Sequence, residues 1–159
     1  MRPIGAVLVS TAFAVAMLVL VGCSFRPLIY DVYVSPTTIS PNADGEADVT
    51  RIEYKLARNA SLSIYLVDEQ GQEHYFRQER ARSRSLGRPY RVDFSGVIPI
   101  EEQGLRQDRV LPDGAYTLVL EAVDEGGRSL AIDMPFTIQD ADTAAPELQG
   151  FGLDRHTFT

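Results

Sequence analysis

After position 23 no stretch keeps the 3.6-residue apolar repeat of an amphipathic helix; the apolar residues recur with a period of two. Alternation of this kind puts one row of side chains on each face of an extended chain. In 50–56, Thr50, Ile52, Tyr54 and Leu56 share one face, and Arg51, Glu53 and Lys55 the other. In 62–67, Leu62, Ile64 and Leu66 alternate with Ser63, Tyr65 and Val67. Tyr90, Val92 and Phe94 form a third run, and Tyr116, Leu118, Leu120 and Ala122 a fourth. A fifth carries Leu130, Ile132, Met134, Phe136 and Ile138 on one face. Pro135 lacks an N–H, so this last strand is expected at an edge or facing solvent there.

Turn chemistry punctuates these runs. Asn42-Ala43-Asp44-Gly45, Asp68-Glu69-Gln70-Gly71, Pro112-Asp113-Gly114 and Asp124-Glu125-Gly126-Gly127 can each supply the positive φ of a tight turn. The last joins two strong runs and reads as a hairpin. With an extended start near Leu28–Val34, about seven strands fit between residues 30 and 138. That is the size and strand count of an all-β, immunoglobulin-like antiparallel β-sandwich.

Residues 1–22 follow a different rule. After Arg2, positions 4–21 are almost continuously apolar, and this segment is expected to be a signal helix. Leu20-Val21-Gly22-Cys23 ends it and resembles the bacterial lipobox, in which the Cys receives a diacylglyceryl group before cleavage. Cys23 is also the single cysteine of the chain, so no internal disulfide or cysteine zinc cage can form. The expectation is an exported chain, lipid-anchored through Cys23 to the cell envelope, with the outer membrane or cell surface favoured over the inner membrane. The alternative is an uncleaved apolar anchor. Residues 23–29 read as a tether. A net charge of −7, from 15 Lys+Arg against 22 Asp+Glu, argues against a nucleic-acid partner.

Two stretches together resemble one family. Ile39-Ser40-Pro41-Asn42-Ala43-Asp44-Gly45-Glu46-Ala47-Asp48 is similar to its S-P-N-x-D-G-x-x-D opening. Leu111-Pro112-Asp113-Gly114-Ala115-Tyr116-Thr117, running on to Leu120-Glu121-Ala122-Val123-Asp124, is similar to its L-P-D-G-x-Y close. The family is that of the bacterial Ig-like domains known from the flagellar hook-capping protein and from repeats in exported surface proteins. Val92-Asp93-Phe94-Ser95-Gly96 sits where the family has W-[DN]-G, with Phe94 in the place of Trp as an aromatic core plug. The resemblance spans about residues 34–138 and implies fold and compartment, not a flagellar role.

At an offset of 119 residues, Val34–Ser40 aligns with Leu153–Thr159, Ile39 meeting Phe158. Residues 139–146 read as a linker, and 147–159 as the start of a second, incomplete repeat; a plain C-terminal tail is the other reading.

Three features invite chemistry. Asn42, Asp44, Glu46 and Asp48 place four side-chain oxygens at alternating positions around Gly45. Calcium takes such oxygens, and an Asx-type turn uses the same residues to bind the backbone. The stretch 76–91 carries Arg77, Arg80, Arg82, Arg84, Arg88 and Arg91 against Glu79. Arginines bind phosphates and carboxylates, so this stretch is expected to contact an anion or partner, or else to be a solvated loop. Residues 96–111 read as a long loop of the kind that carries binding function. A Ser/His/Asp triad would need His74 or His156, and His74 reads as a surface residue. Glu101 and Glu102 are adjacent and so point apart on an extended chain.

The expectation is a non-enzymatic envelope lipoprotein that displays an Ig-like module for structural or protein-interaction roles, with no cofactor beyond the calcium reading. Its partners would be the membrane, through Cys23, and an envelope protein or cell-wall polymer. A carbohydrate or cell-wall binding module, and the anchor end of a longer multi-repeat surface protein or enzyme, are the alternatives.

Overall fold

The structure is a computed structural model that describes residues 26–102 and 104–144. The apolar segment, Cys23 and residues 147–159 lie outside the described residues. Among the described residues ten strands form: β1 Ile29–Ser35, β2 Thr38–Ile39, β3 Thr50–Leu56, β4 Ala60–Val67, β5 Glu73–Arg82, β6 Tyr90–Phe94, β7 Val97–Glu102, β8 Leu105–Val110, β9 Gly114–Asp124 and β10 Ser129–Ile138. One sheet has the order β1-β3-β6 and the other β2-β10-β9-β4-β5. β7 and β8 pair only with each other.

The fold is an all-β, immunoglobulin-like sandwich. The six apolar runs of the sequence form β1, β3, β4, β6, β9 and β10, and β5, over most of which the sequence reads as a loop, makes the seventh. The additions are the two-residue β2, which pairs parallel to β10, and the β7–β8 hairpin. The chain passes from one sheet to the other between β1 and β2, where the Thr50 hydroxyl donates to the Pro36 carbonyl at 2.6 Å. Leu28 and Ile29, at the end of the stretch read as a tether, are both buried in the core and belong to the sandwich.

Alternation became burial wherever both sheets press on a strand. β4 reads buried and half-buried in strict turn, with Ala60, Leu62, Ile64 and Leu66 inward. Ile52, Tyr54 and Leu56 face them from β3, and Leu118, Leu120 and Ala122 line β9. Each fully buried aliphatic or aromatic side chain here contributes about 1.5–3 kcal/mol. Phe94 is fully buried and packs against Phe76 and Phe136, with ring centroids 4.8 and 6.2 Å away. It therefore fills the aromatic plug position.

Tyr116, at the start of β9, donates its hydroxyl to the Pro112 carbonyl at 2.8 Å. This is the tyrosine corner of immunoglobulin-like sandwiches, and it staples the incoming loop to the sheet. Pro135 stands opposite Thr117, and β2 covers β10 only at Thr137 and Ile138, so the missing N–H disrupts no ladder bond on that side. Gly96 has φ +74°, and a Cβ there would meet the Pro41 ring at 2.9 Å, so only glycine fits.

Candidate functional site

The arginine-rich stretch is not a loop over most of its length. Residues 73–82 form β5, an edge of the five-stranded sheet. Its alternation is broken by two register shifts against β4 and by Glu79 at φ +45°, whose N–H donates to the Ser63 hydroxyl at 3.0 Å. Arg80 and Arg82 stand opposite Leu62 and Ala60, on the face that looks into the sandwich. At an edge, long side chains on that face lie across the open flank with their charges in water. The Arg82 guanidinium sits 5.4 Å over the Tyr90 ring, and its Nε donates to the Tyr54 hydroxyl at 3.4 Å. Arg77 lies 4.3 Å over Phe76. The flank is thus closed by guanidinium groups on aromatic rings. Burial pushes the Tyr54 phenol up, while Arg82 pulls the other way.

Between β5 and the β7–β8 hairpin lies a cleft of about 500 Å3. One wall carries Tyr75, Phe76, Arg77 and Arg80; the other carries Pro99, Ile100, Glu101 and Arg106. Three guanidinium groups against one carboxylate favour an anionic ligand, and the rings and Pro99 offer apolar contact. Tyr75 donates to Glu73 at 2.7 Å and packs 4.8 Å from Tyr65. That hydrogen bond, with burial and the Glu73 charge, pushes its phenol up to about 12, so it stays protonated.

Of the six arginines singled out in the sequence, the structure brings together two, Arg77 and Arg80. Arg82 is held on the flank. Arg91 pairs with Glu53 of the neighbouring strand at 2.8 Å. Arg84 and Arg88 fall in the 83–89 connection, and Arg84 borders a different groove. Sequence reasoning missed Arg106, because 96–111 read as a long loop. The segment is a hairpin in which Glu101 stands opposite Arg106 and Glu102 opposite Leu105. Both glutamates are exposed; Glu101 borders the cleft, and Glu102 lies 4.0 Å from Arg109.

The 42–48 loop uses its oxygens on its own backbone. Asp48 accepts from the N–H groups of Asn42, Ala43 and Gly45 at 3.3, 3.0 and 2.8 Å. Asn42 Oδ1 accepts from Asp44 N–H at 3.0 Å, and Asp44 Oδ1 from Glu46 N–H at 2.8 Å. Among the described residues no group of three or more His, Cys, Asp or Glu side chains is placed to hold a metal ion. The geometry is that of the Asx turn, with Asn42, Asp44 and Asp48 engaged by backbone N–H groups.

His74 is better held than a surface histidine. Its Nε2 lies 2.8 Å from Asp68 Oδ2, both side chains are mostly shielded, and its ring meets the Tyr116 ring edge-on at 6.3 Å. Asp68 also accepts from the N–H groups of Gln72 and Gln70. The His74 hydrogen bond, ahead of these two, holds the Asp68 carboxyl below its usual range. His74 and Asp68 border a second cavity of about 380 Å3, but no serine or cysteine nucleophile is among its lining residues. The lipobox residues Leu20, Val21, Gly22 and Cys23 lie outside the described residues, as does His156.

No protein-family model matches the chain, and no curated protein matches it either. The fold and the cleft define the class on their own: an immunoglobulin-like sandwich with an arginine-lined side cleft.

Proposed function

We propose that the protein is a non-enzymatic envelope lipoprotein, anchored through lipid on Cys23, that displays its sandwich to an anionic or acidic partner. The cleft between β5 and the β7–β8 hairpin carries this reading, with Arg77, Arg80 and Arg106 converging on one side of an acidic chain. Anchoring rests on the apolar segment that ends in Leu20-Val21-Gly22-Cys23, three residues before Arg26. The partner is an envelope protein or a cell-wall polymer. A carbohydrate-binding reading draws on the same cleft, where Tyr75 and Phe76 lie beside the guanidinium groups.

The mass of the intact chain from detergent-solubilised membranes tests the anchor. Cys23–Thr159 plus acyl chains is the expected species, and an unlipidated chain beginning at Met1 would remove the lipoprotein reading. Retention on purified cell wall tests the cleft. Arg77→Ala with Arg80→Ala and Arg106→Ala is expected to abolish retention. Equal retention of the triple variant and the parent would move the contact elsewhere.

A further inference from the structure

The sandwich is electrically polar along its strands. Antiparallel connectivity gathers the entry at 26–28, the β3–β4 turn, the β5–β6 connection and the β9–β10 turn at one end. Hydrogen bonds tie them together: Ala57 N–H donates to Leu28, Ser85 and Leu56 bond in both directions, and Arg84 N–H donates to Asn59. This end carries Arg26, Lys55, Arg58, Arg84, Arg88 and Arg128 against Asp31, Asp124 and Glu125, an excess of cations. The far end carries Asp44, Glu46, Asp68, Glu69, Asp113 and Asp140. On a chain of net charge −7, a basic end is an exception to the composition.

At the basic end lies a groove of about 690 Å3 bordered by Arg26, Lys55, Arg58 and Arg84, with no carboxylate among its lining residues. Lys55 also reaches Asp31 at 3.0 Å, and Arg58 reaches Asp124 at 3.5 Å. Arg26 and Arg84 have no carboxylate within 4.0 Å among the described residues, so the uncompensated charge rests on them. Leu86, on the rim, is 87% exposed, the most exposed large apolar residue described. Its neighbour Ser85 is buried and bonded to Leu56, so the leucine is held out on a pinned connection.

We propose that this end docks on a membrane surface rich in anionic phospholipid, with Arg26 and Arg84 on the headgroups and Leu86 entering the interface. The inference rests on the reading that the segment ending at Cys23 anchors the chain. Three residue steps separate Cys23 from Arg26, and such a stretch spans at most about 11 Å. That is comparable to a Debye length, so the basic end stays within the surface field of its own membrane. Docking would orient the module, with the acidic end and residues 139–144 turned away from the bilayer.

The test uses the full chain, reconstituted in vesicles of phosphatidylcholine alone or mixed with phosphatidylglycerol. A polarity-sensitive fluorophore is placed at Leu86→Cys, and at Gln70→Cys on the far end as a control. With phosphatidylglycerol, the probe at 86 is expected to shift to the blue and to be quenched by spin-labelled lipid. High salt reverses this, and the probe at 70 does not respond. Arg26→Gln with Arg84→Gln should lower the docked-to-free ratio about twenty-five-fold, at about fivefold per basic side chain near the surface. A probe at 86 that reads the same in both vesicles, or that ignores the double substitution, overturns docking even though the chain floats with the vesicles. Flotation and intact mass report anchoring separately. A chain without lipid that still co-floats with phosphatidylglycerol vesicles, and loses this in the double variant, keeps the docking face and removes the anchor. An unlipidated chain that floats with neither vesicle overturns both.

Discussion

Two antiparallel hairpins, β9–β10 and β7–β8, are held in different ways. β9 and β10 pair over ten positions, and β9 buries Tyr116, Leu118, Val119, Leu120 and Ala122. β7 and β8 pair over six, and none of β8 is buried. Ile98 and, just past β8, Leu111 are the buried anchors there. A backbone hydrogen bond nets only about 0.5–1.5 kcal/mol, so the difference in apolar burial decides the difference in local stability. The turns differ as well. The β9–β10 turn is clamped by Asp124, which accepts from the N–H groups of Gly126 and Arg128 at 2.9 and 3.0 Å and holds the Arg128 guanidinium. The β7–β8 turn has Gly104 at φ +77°. One hairpin is core, the other a weakly held wall of the cleft, and binding surfaces are commonly drawn from such low-stability parts.

The largest test of this contrast is Phe94→Ala. Phe94 joins β6 to β5 and β10, and its loss is expected to cost about 3–5 kcal/mol. Chemical denaturation should show the whole domain weakened; a change confined to β7–β8 would refute a single shared core. Ile98→Ala comes next, at about 2–3 kcal/mol. Here amide exchange in 105–110 should accelerate far more than in 116–122, and equal acceleration would erase the distinction between the hairpins. Gly96→Ala acts at the root of β7, where Gly96 accepts the Leu111 N–H at 2.9 Å. Strained φ is expected to cost about 1–3 kcal/mol, the Pro41 contact adding to it, and an unchanged melting temperature would contradict the close approach of the Pro41 ring.

Tyr116→Phe removes the corner hydrogen bond and keeps the ring, for about 1 kcal/mol. It should loosen the loop into β9 and leave the cleft wall unchanged. Acid gives the smallest effect. The backbone N–H of Arg128, ahead of that of Gly126 and the Arg128 charge, holds the folded Asp124 carboxyl below the usual range, against the opposing effect of burial. A folded pKa below the unfolded one means the stabilisation is complete above about pH 4. It is lost as pH falls through the folded value. Amides of the β9–β10 turn should therefore exchange faster in acid, and Asp124→Asn should flatten that dependence. No flattening would remove Asp124 as the source of the acid response.

How far the fold was legible varies with the strand. β3, β4 and β9 each lie between two neighbours of their own sheet and press an apolar row into the core, so burial enforced the alternation that made them readable, while β10 buries only Phe136 and Ile138 of its row. β5 lies at an edge with two register shifts, where a strand tolerates consecutive charged residues and its arginines resemble a loop. β8 reads Leu-Arg-Gln-Asp-Arg-Val and has no apolar face because it packs on no sheet. The cleft was half legible for the same reason: Arg77 and Arg80 stood out as charge, while Arg106 came from a segment with no strand signal.

The sequence by itself determined the all-β class, the inward rows of the central strands, the positions of the tight turns and the lipobox-like end of the apolar segment. These are local properties, set by side-chain period and by which residues accept positive φ. Only the tertiary structure decided that 97–110 pairs with itself, that the six arginines divide among a flank, a cleft, a pole and an ion pair with Glu53, and that Asp48 turns its oxygens to its own backbone. It also decided that basic residues from four separate connections meet at the end where the chain enters. Side-chain period reports the burial of one strand, whereas the meeting of distant turns follows from strand order, which no local pattern encodes.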